Sequence, residues 1–128
     1  MIGKTVNSIL VGANQIINLV PASRIFPYVM NENTIMPAII YSIKPFNSEY
    51  SKGGWASDDI PFAIRMFSNN YTNLQSIVIA VRNTFEMNKS GSGTQEISAC
   101  HLIGFEEGYA GGDIFYCELT FKTKINKY

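Results

Sequence analysis

Residues 60–88 read IPFAIRMFSNNYTNLQSIVIAVRNTFEMN, and the hydrophobic period changes once within them. From Ile60 to Ser68 the side chains alternate. Phe62, Ile64 and Met66 fall on one face, and Ala63, Arg65 and Phe67 on the other. That period of two is a strand. Ser68, Asn69 and Asn70 are each good helix N-caps. Beyond them Tyr71, Leu74, Val78, Val81 and Phe85 recur at helical spacing, so an amphipathic helix runs to about Asn88. A strand delivered directly into a helix of this length needs a sheet for the helix to cover.

Upstream, Val6, Ile9, Leu10, Ala13, Ile16, Ile17 and Val20 make a helical stripe, with Lys4, Asn7, Asn14 and Asn18 on the wet side. Pro21 stops that helix. Arg24 to Met30 reads as a short strand, and Pro27 within it argues for a sheet edge. Asn31-Glu32-Asn33 is a turn. Ala38 to Lys44 is β-branched and aromatic, hence a strand ended by Pro45. Residues 45–58, with Gly53 and Gly54, read as a long loop of the kind that often carries function.

Downstream, Ser90 to Gly93 is a connector and two strands close the chain, at about 95–105 and 114–125. The turn between them spans Glu106 to Asp113 and holds three glycines. Phe115, Cys117, Leu119 and Phe121 alternate with Tyr116, Glu118, Thr120 and Lys122, giving one core face and one wet face. The expected fold is therefore α+β: a mainly antiparallel sheet of about five strands packed against two helices, in the order α-β-β-β-α-β-β. A length of 128 residues with no internal repeat fits a single domain, 1–128.

Apolar residues make up 46% of the chain, which excludes disorder. Charged residues are 16%, against about 25% in ordinary soluble domains. Either Asn, Ser and Thr solvate the surface, or part of it is buried against other subunits. Acidic and basic residues balance at ten each, so no basic stripe marks a nucleic-acid footprint. The Lys122, Lys124 and Lys127 end reads as solvated. The first residues lack the unbroken apolar core of a signal peptide, and no apolar run reaches the roughly 18 residues that span a bilayer. A soluble protein made in a cytoplasm is expected.

Chemistry is thinly represented. The single histidine, His101, follows Cys100, and neighbouring strand residues point to opposite faces, which argues against a dyad between them. A hairpin centred between Gly108 and Tyr109 sets Cys100 opposite Cys117, where a disulfide is geometrically feasible but stays reduced in a cytoplasm. One histidine, two cysteines and scattered carboxylates give no metal-ligand spacing, and no catalytic or cofactor-binding residues are assigned. Asp58-Asp59 and Glu106-Glu107 read as solvated turn carboxylates. Neither Gly53-Gly54-Trp55 nor the glycines of 108–112 precede the Lys-Ser/Thr step of a phosphate loop. Trp55, the only tryptophan, is either an interface anchor on its loop or a side chain folded onto its own core. Arg65 stands in an otherwise apolar strand and is expected to pair with a carboxylate, within the subunit or across an interface.

The order of elements and four local patterns resemble the tail terminator (tail completion) family of long-tailed, siphovirus-type bacteriophages. After the opening helix comes Arg24-Ile25-Phe26-Pro27, then the proline-led strand Met36-Pro37-Ala38-Ile39-Ile40-Tyr41. Next is Phe62-Ala63-Ile64-Arg65-Met66-Phe67-Ser68 leading into the helix at 71–88, and last the aromatic alternation Phe115-Tyr116-Cys117-Glu118-Leu119-Thr120-Phe121. The resemblance covers nearly the whole chain. The loop around Gly53-Gly54-Trp55 is longer than the family pattern.

The resemblance implies a phage or prophage virion assembly protein without catalytic residues. Such proteins form a hexameric ring at the tail-head junction that caps the tail tube, ends its polymerisation and presents a surface to the head completion or connector protein. Its partners would be copies of itself, the tail tube protein and the head connector, with no membrane, no sequence-specific nucleic acid and no cofactor. Contact residues expected on this reading are Tyr50, Lys52 and Trp55 in the 45–58 loop, Glu106, Glu107 and Tyr109 at the 106–113 turn, and Arg65. Another neck ring or a tail tube subunit is a neighbouring reading. A small α+β ligand-binding or regulatory domain is a different one, and an enzyme using Cys100, Cys117 or His101 is a third.

Overall fold

The computed structural model describes residues 2–30, 33–44, 49–51, 54–87 and 100–126. The strands are β1 (Ile25–Pro27), β2 (Ala38–Ile43), β3 (Glu49–Ser51), β4 (Gly54–Ser68), β5 (Cys100–Gly111) and β6 (Ile114–Asn126). The helices are α1 (Ile2–Gly12), α2 (Asn14–Ile17) and α3 (Tyr71–Met87). The main sheet runs β1-β2-β4-β6-β5, and off this path β3 pairs with β4. Every pairing is antiparallel except β1 with β2. The α+β architecture with two main helices is the one expected.

Both main helices cover the same face of the sheet. Phe62, Ile64 and Met66 of β4 are fully buried, as are Leu74, Ile77, Val81 and Phe85 of α3 and Cys117, Leu119 and Phe121 of β6. Phe62, Phe85 and Phe121 meet with ring centroids 5.3–5.5 Å apart, the aromatic centre of the core. Val6 and Leu10 of α1 complete the core beside β1 and β2.

Three boundaries differ from expectation. The first helix breaks at Ala13, which is extended at φ −90° and ψ 110°, so the expected 4–20 helix becomes two. Gly12, the weakest helix former in that stretch apart from proline, stands just before the break. The 45–58 segment is not a loop throughout. β4 begins at Gly54 and β3 folds back on it, pairing Tyr50 with Trp55 and Glu49 with Ser57. Gly54 thus opens a strand, and Gly53 lies outside the described residues. Lys52 lies outside the described residues, as do the 90–93 connector and residues 95–99.

The third difference is the closing hairpin. Its strands continue through the expected 106–113 turn, and the reversal happens at Gly112-Asp113 alone. Both turn residues have positive φ, +58° and +64°, the signature of a two-residue hairpin turn matched to strand twist. The Asp113 amide donates to the Tyr109 hydroxyl at 3.0 Å, which closes the turn. The hairpin centre thus lies beyond Gly108-Tyr109, and the facing of Cys100 with Cys117 is overturned. Cys100 pairs with Thr123 and Cys117 with Glu107.

Candidate interaction surfaces

The sheet face away from the helices is where Arg65 sits. β4 and β6 pair Arg65 with Glu118, Phe67 with Tyr116 and Ala63 with Thr120. The guanidinium of Arg65 grips one carboxylate oxygen of Glu118, from Nη2 at 2.9 Å and from Nε at 3.1 Å. Lys44 approaches the other oxygen at 4.0 Å. Arg65 also lies 5.1 Å from the centre of the Tyr116 ring, a cation–π distance. The Tyr116 hydroxyl donates to Glu106 at 2.7 Å, and this bond, followed by burial, raises the phenol pKa above 10.0. Arg65 thus finds its carboxylate within the subunit, the first of the two options left open by the sequence.

Glu106 and Glu107 do not act as a pair. They are consecutive strand residues and point to opposite faces. Glu107 turns to the helix side, where it accepts from the Tyr71 hydroxyl at 2.8 Å and from Gln75 Nε2 at 2.7 Å. Tyr109 shares that side, with its ring 5.4 Å from Phe115, which in turn meets Tyr71 at 5.6 Å. The N-terminus of α3 that brings Tyr71 here is capped by Asn70, whose side-chain oxygen accepts from the Asn73 amide at 3.0 Å.

These two networks bring Arg65, Glu106 and Tyr116 together on one face, and Glu107, Tyr109 and Tyr71 on the other. The structure places Tyr50 and Trp55 by their backbone, in the pairing of β3 with β4 at the far end of β4.

The thiols and the histidine form no reactive group. Burial, and then Glu86, pushes the Cys100 thiol up to about 12. Burial, and then Glu107 and Glu118, does the same to Cys117. Such thiols hold their protons and are poor nucleophiles near neutral pH. His101 is exposed on β5 and pairs across the ladder with Lys122. Among the described residues no group of three or more His, Cys, Asp and Glu could hold a metal ion. None of the described helices is long and apolar enough to cross a membrane.

Sequence reasoning missed a set of exposed apolar side chains at the two sheet edges. On the β5 side these are Ile79, Ile103 and Phe105, and on the β1 side Val29 and Ile35. Ile103 is a bulge, an extra residue between Leu102, opposite Phe121, and Gly104, opposite Thr120. The bulge shifts the alternation of β5 by one, so Phe105 rather than Gly104 shares the helix face. One signal was present for Ile79. The run Ile77 to Val81 is apolar at five consecutive positions, more than one helix face can bury.

No protein-family model matches the chain, and no curated protein does. A solved structure does: the chain is similar to one in a structure described as the virion of a native gene transfer agent particle. The TM-score is 0.71 at 12% identity, covering 95% of this chain and 92% of that one. The two chains share their fold over nearly their whole lengths.

Proposed function

We propose that this protein is a structural component of a phage-like virion, and that within it the chain acts as the tail terminator ring. The observation that carries the first part is the shared fold with a chain of an assembled gene transfer agent particle. The low charge content and the exposed apolar residues at both sheet edges suit a subunit with neighbours on two sides. The two thiols are buried, and Glu106, Glu107 and Glu118 are partnered inside the subunit, which suits a structural role.

The terminator role draws on the long axis of the sheet. β3 pairs with β4 at the Gly54 end of β4. The β5–β6 turn lies at the other end, because Ser57 pairs with Asn126 while Ser68 pairs with Phe115. The fifteen residues of β4 separate the two by roughly 45–50 Å. A cap must touch the tube on one side and the head connector on the other. In this reading the hairpin with Tyr50, Lys52 and Trp55 makes one axial contact and the tip near Tyr109 the other. Arg65, Glu106 and Glu107 shape these surfaces from within.

The test is deletion of residues 47–55, which removes β3 and leaves the five-strand path of the sheet. The protein is co-produced with its tube protein and imaged by negative stain. Tubes of uniform capped length with the intact chain, and uncontrolled lengths with a folded deletion variant, are expected. Capping unchanged by the deletion would overturn the role of the hairpin, and an intact chain that never binds tube ends would overturn the terminator role.

A further inference from the structure

We infer that Pro27 and Tyr28 seal the β1 edge of the sheet against the addition of another strand, and so keep copies of this chain from running together into one continuous sheet. An edge strand offers its outward amides and carbonyls to any extended chain that reaches it, and folded proteins block such edges. The seal is a property of the backbone and stands apart from the ring reading above.

The parallel register fixes which groups of β1 face outward. Pro27 lies opposite Tyr41, and the Tyr28 amide donates to the Tyr41 carbonyl at 2.8 Å. Tyr28 thus turns its amide inward, to β2. Main-chain groups of successive strand residues point to opposite edges, so Phe26 also faces β2, while Ile25 and Pro27 face away. Neither of these two has an amide to give. That of Ile25 is bonded to the Ala22 carbonyl, in the short 3-10 helix Ala22–Arg24 that precedes β1. Pro27 has no amide hydrogen. The Pro27 carbonyl, an outward acceptor, is also engaged, because it accepts from the Val29 amide at 2.6 Å.

That last bond closes a three-residue turn around Tyr28, held at φ +62°. The conformation is strained for a residue with a side chain, and it takes the chain off the ladder. The ending would leave a donor of β2 uncovered. The Lys44 amide donates to Pro61 of β4 at 2.9 Å, so the amide of Ile43, its neighbour, points to the β1 side. In a continued parallel strand it would take the Tyr28 carbonyl. It donates instead to the Tyr28 hydroxyl, at 3.4 Å. One residue ends the strand with its backbone and covers the donor next in line with its side chain.

The opposite edge is built differently. β5 pairs with β6 alone among the described strands, and it contains no proline. A sheet that grows from copy to copy needs two receptive edges, and closing β1 removes one of them.

The test uses variants of the full chain. Pro27→Val with Tyr28→Val restores the missing amide and puts a β-branched residue, which resists positive φ, at the turn. Circular dichroism checks folding, and analytical ultracentrifugation compares the variant with the unaltered chain. The expected result is species larger than those of the unaltered chain, in which the new amide at position 27 is protected from hydrogen exchange. A folded double variant that sediments as the unaltered chain does would overturn the inference, and so would larger species in which that amide exchanges freely. Tyr28→Phe removes the hydroxyl alone, and it decides the matter if the double variant does not fold. Exchange at the Ile43 amide should quicken about tenfold, with the rest of β2 unchanged. An Ile43 amide that exchanges as before sinks the inference.

Discussion

The ring of Tyr116 occupies the place where a β-carbon on Gly108 would stand. An ideal β-carbon there falls 2.8 Å from the Tyr116 ring edge and hydroxyl, closer than real contacts of this kind. The two residues face one another across β5 and β6. The tyrosine covers the glycine and then reaches Glu106 with its hydroxyl and Phe67 with its ring, 6.3 Å between centroids. A weak strand residue is compensated by an aromatic on the neighbouring strand.

Gly108→Ala therefore forces Tyr116 out of its place. The clash is with the far end of one side chain, so the cost is the lost Tyr116–Glu106 bond, and destabilisation of about 1 kcal/mol is expected. The cost should shrink in the Tyr116→Ala background, where the space is free. A urea double-mutant cycle checks this, and equal cost in both backgrounds would show that the contact is not the cause.

The Arg65–Glu118 pair predicts an asymmetry. The Glu118 side chain is 15% exposed and that of Arg65 is 42% exposed. Arg65→Ala leaves a poorly hydrated carboxylate with only the distant Lys44, and a loss of about 1–3 kcal/mol is expected. Lys44→Ala should cost less than about 1 kcal/mol, because the pair is long and the amine well exposed. Denaturation midpoints of the two variants should differ clearly, and equal midpoints would contradict the ranking.

Stability should fall in alkali. Cys100 and Cys117 have folded-state pKa values raised from 9.0 to about 12, chiefly by burial. A raised pKa contributes stability that is complete below the unfolded value and is lost as pH climbs toward the folded one. Tyr41, raised by burial, and Tyr71 and Tyr116, raised first by their bonds to Glu107 and Glu106, add the same trend from about 10 upward. Urea midpoints at about pH 8 and about pH 10.5 should show a clear drop, smaller in the Cys117→Ser variant once compared with its own pH 8 value. In the folded protein at about pH 8, a thiol reagent should label neither cysteine until urea is added.

Thr123 offers a gain. It is 1% exposed on the core face of β6, and its hydroxyl has no hydrogen-bond partner among the described residues. Thr123→Val removes an unmatched polar group at nearly constant shape, and stabilisation of about 1 kcal/mol is expected. A lower melting temperature for the variant would point to an ordered water on that hydroxyl.

Much was legible in the sequence. The change of period from Phe62-Ile64-Met66 to Leu74-Val78-Val81-Phe85 located β4 and α3. The alternation from Phe115 to Phe121 gave the core face of β6, and Pro27 marked β1 as an edge. These depend on which side chains must leave water, and that is written into spacing along one element.

Other features depend on how elements meet, and they appear only in the folded chain. The β5–β6 register follows from the Gly112-Asp113 turn and the Ile103 bulge. Together they separate Cys100 from Cys117, put Glu106 and Glu107 on different faces and bring Phe105 to the helix side. The pairing of Arg65 with Glu118 joins residues 53 positions apart, a distance at which spacing carries no signal. The exposed apolar edges at Ile79–Phe105 and Val29–Ile35 belong to the same class. Whether a hydrophobic residue is covered depends on which neighbour packs against it, and that is decided by tertiary structure.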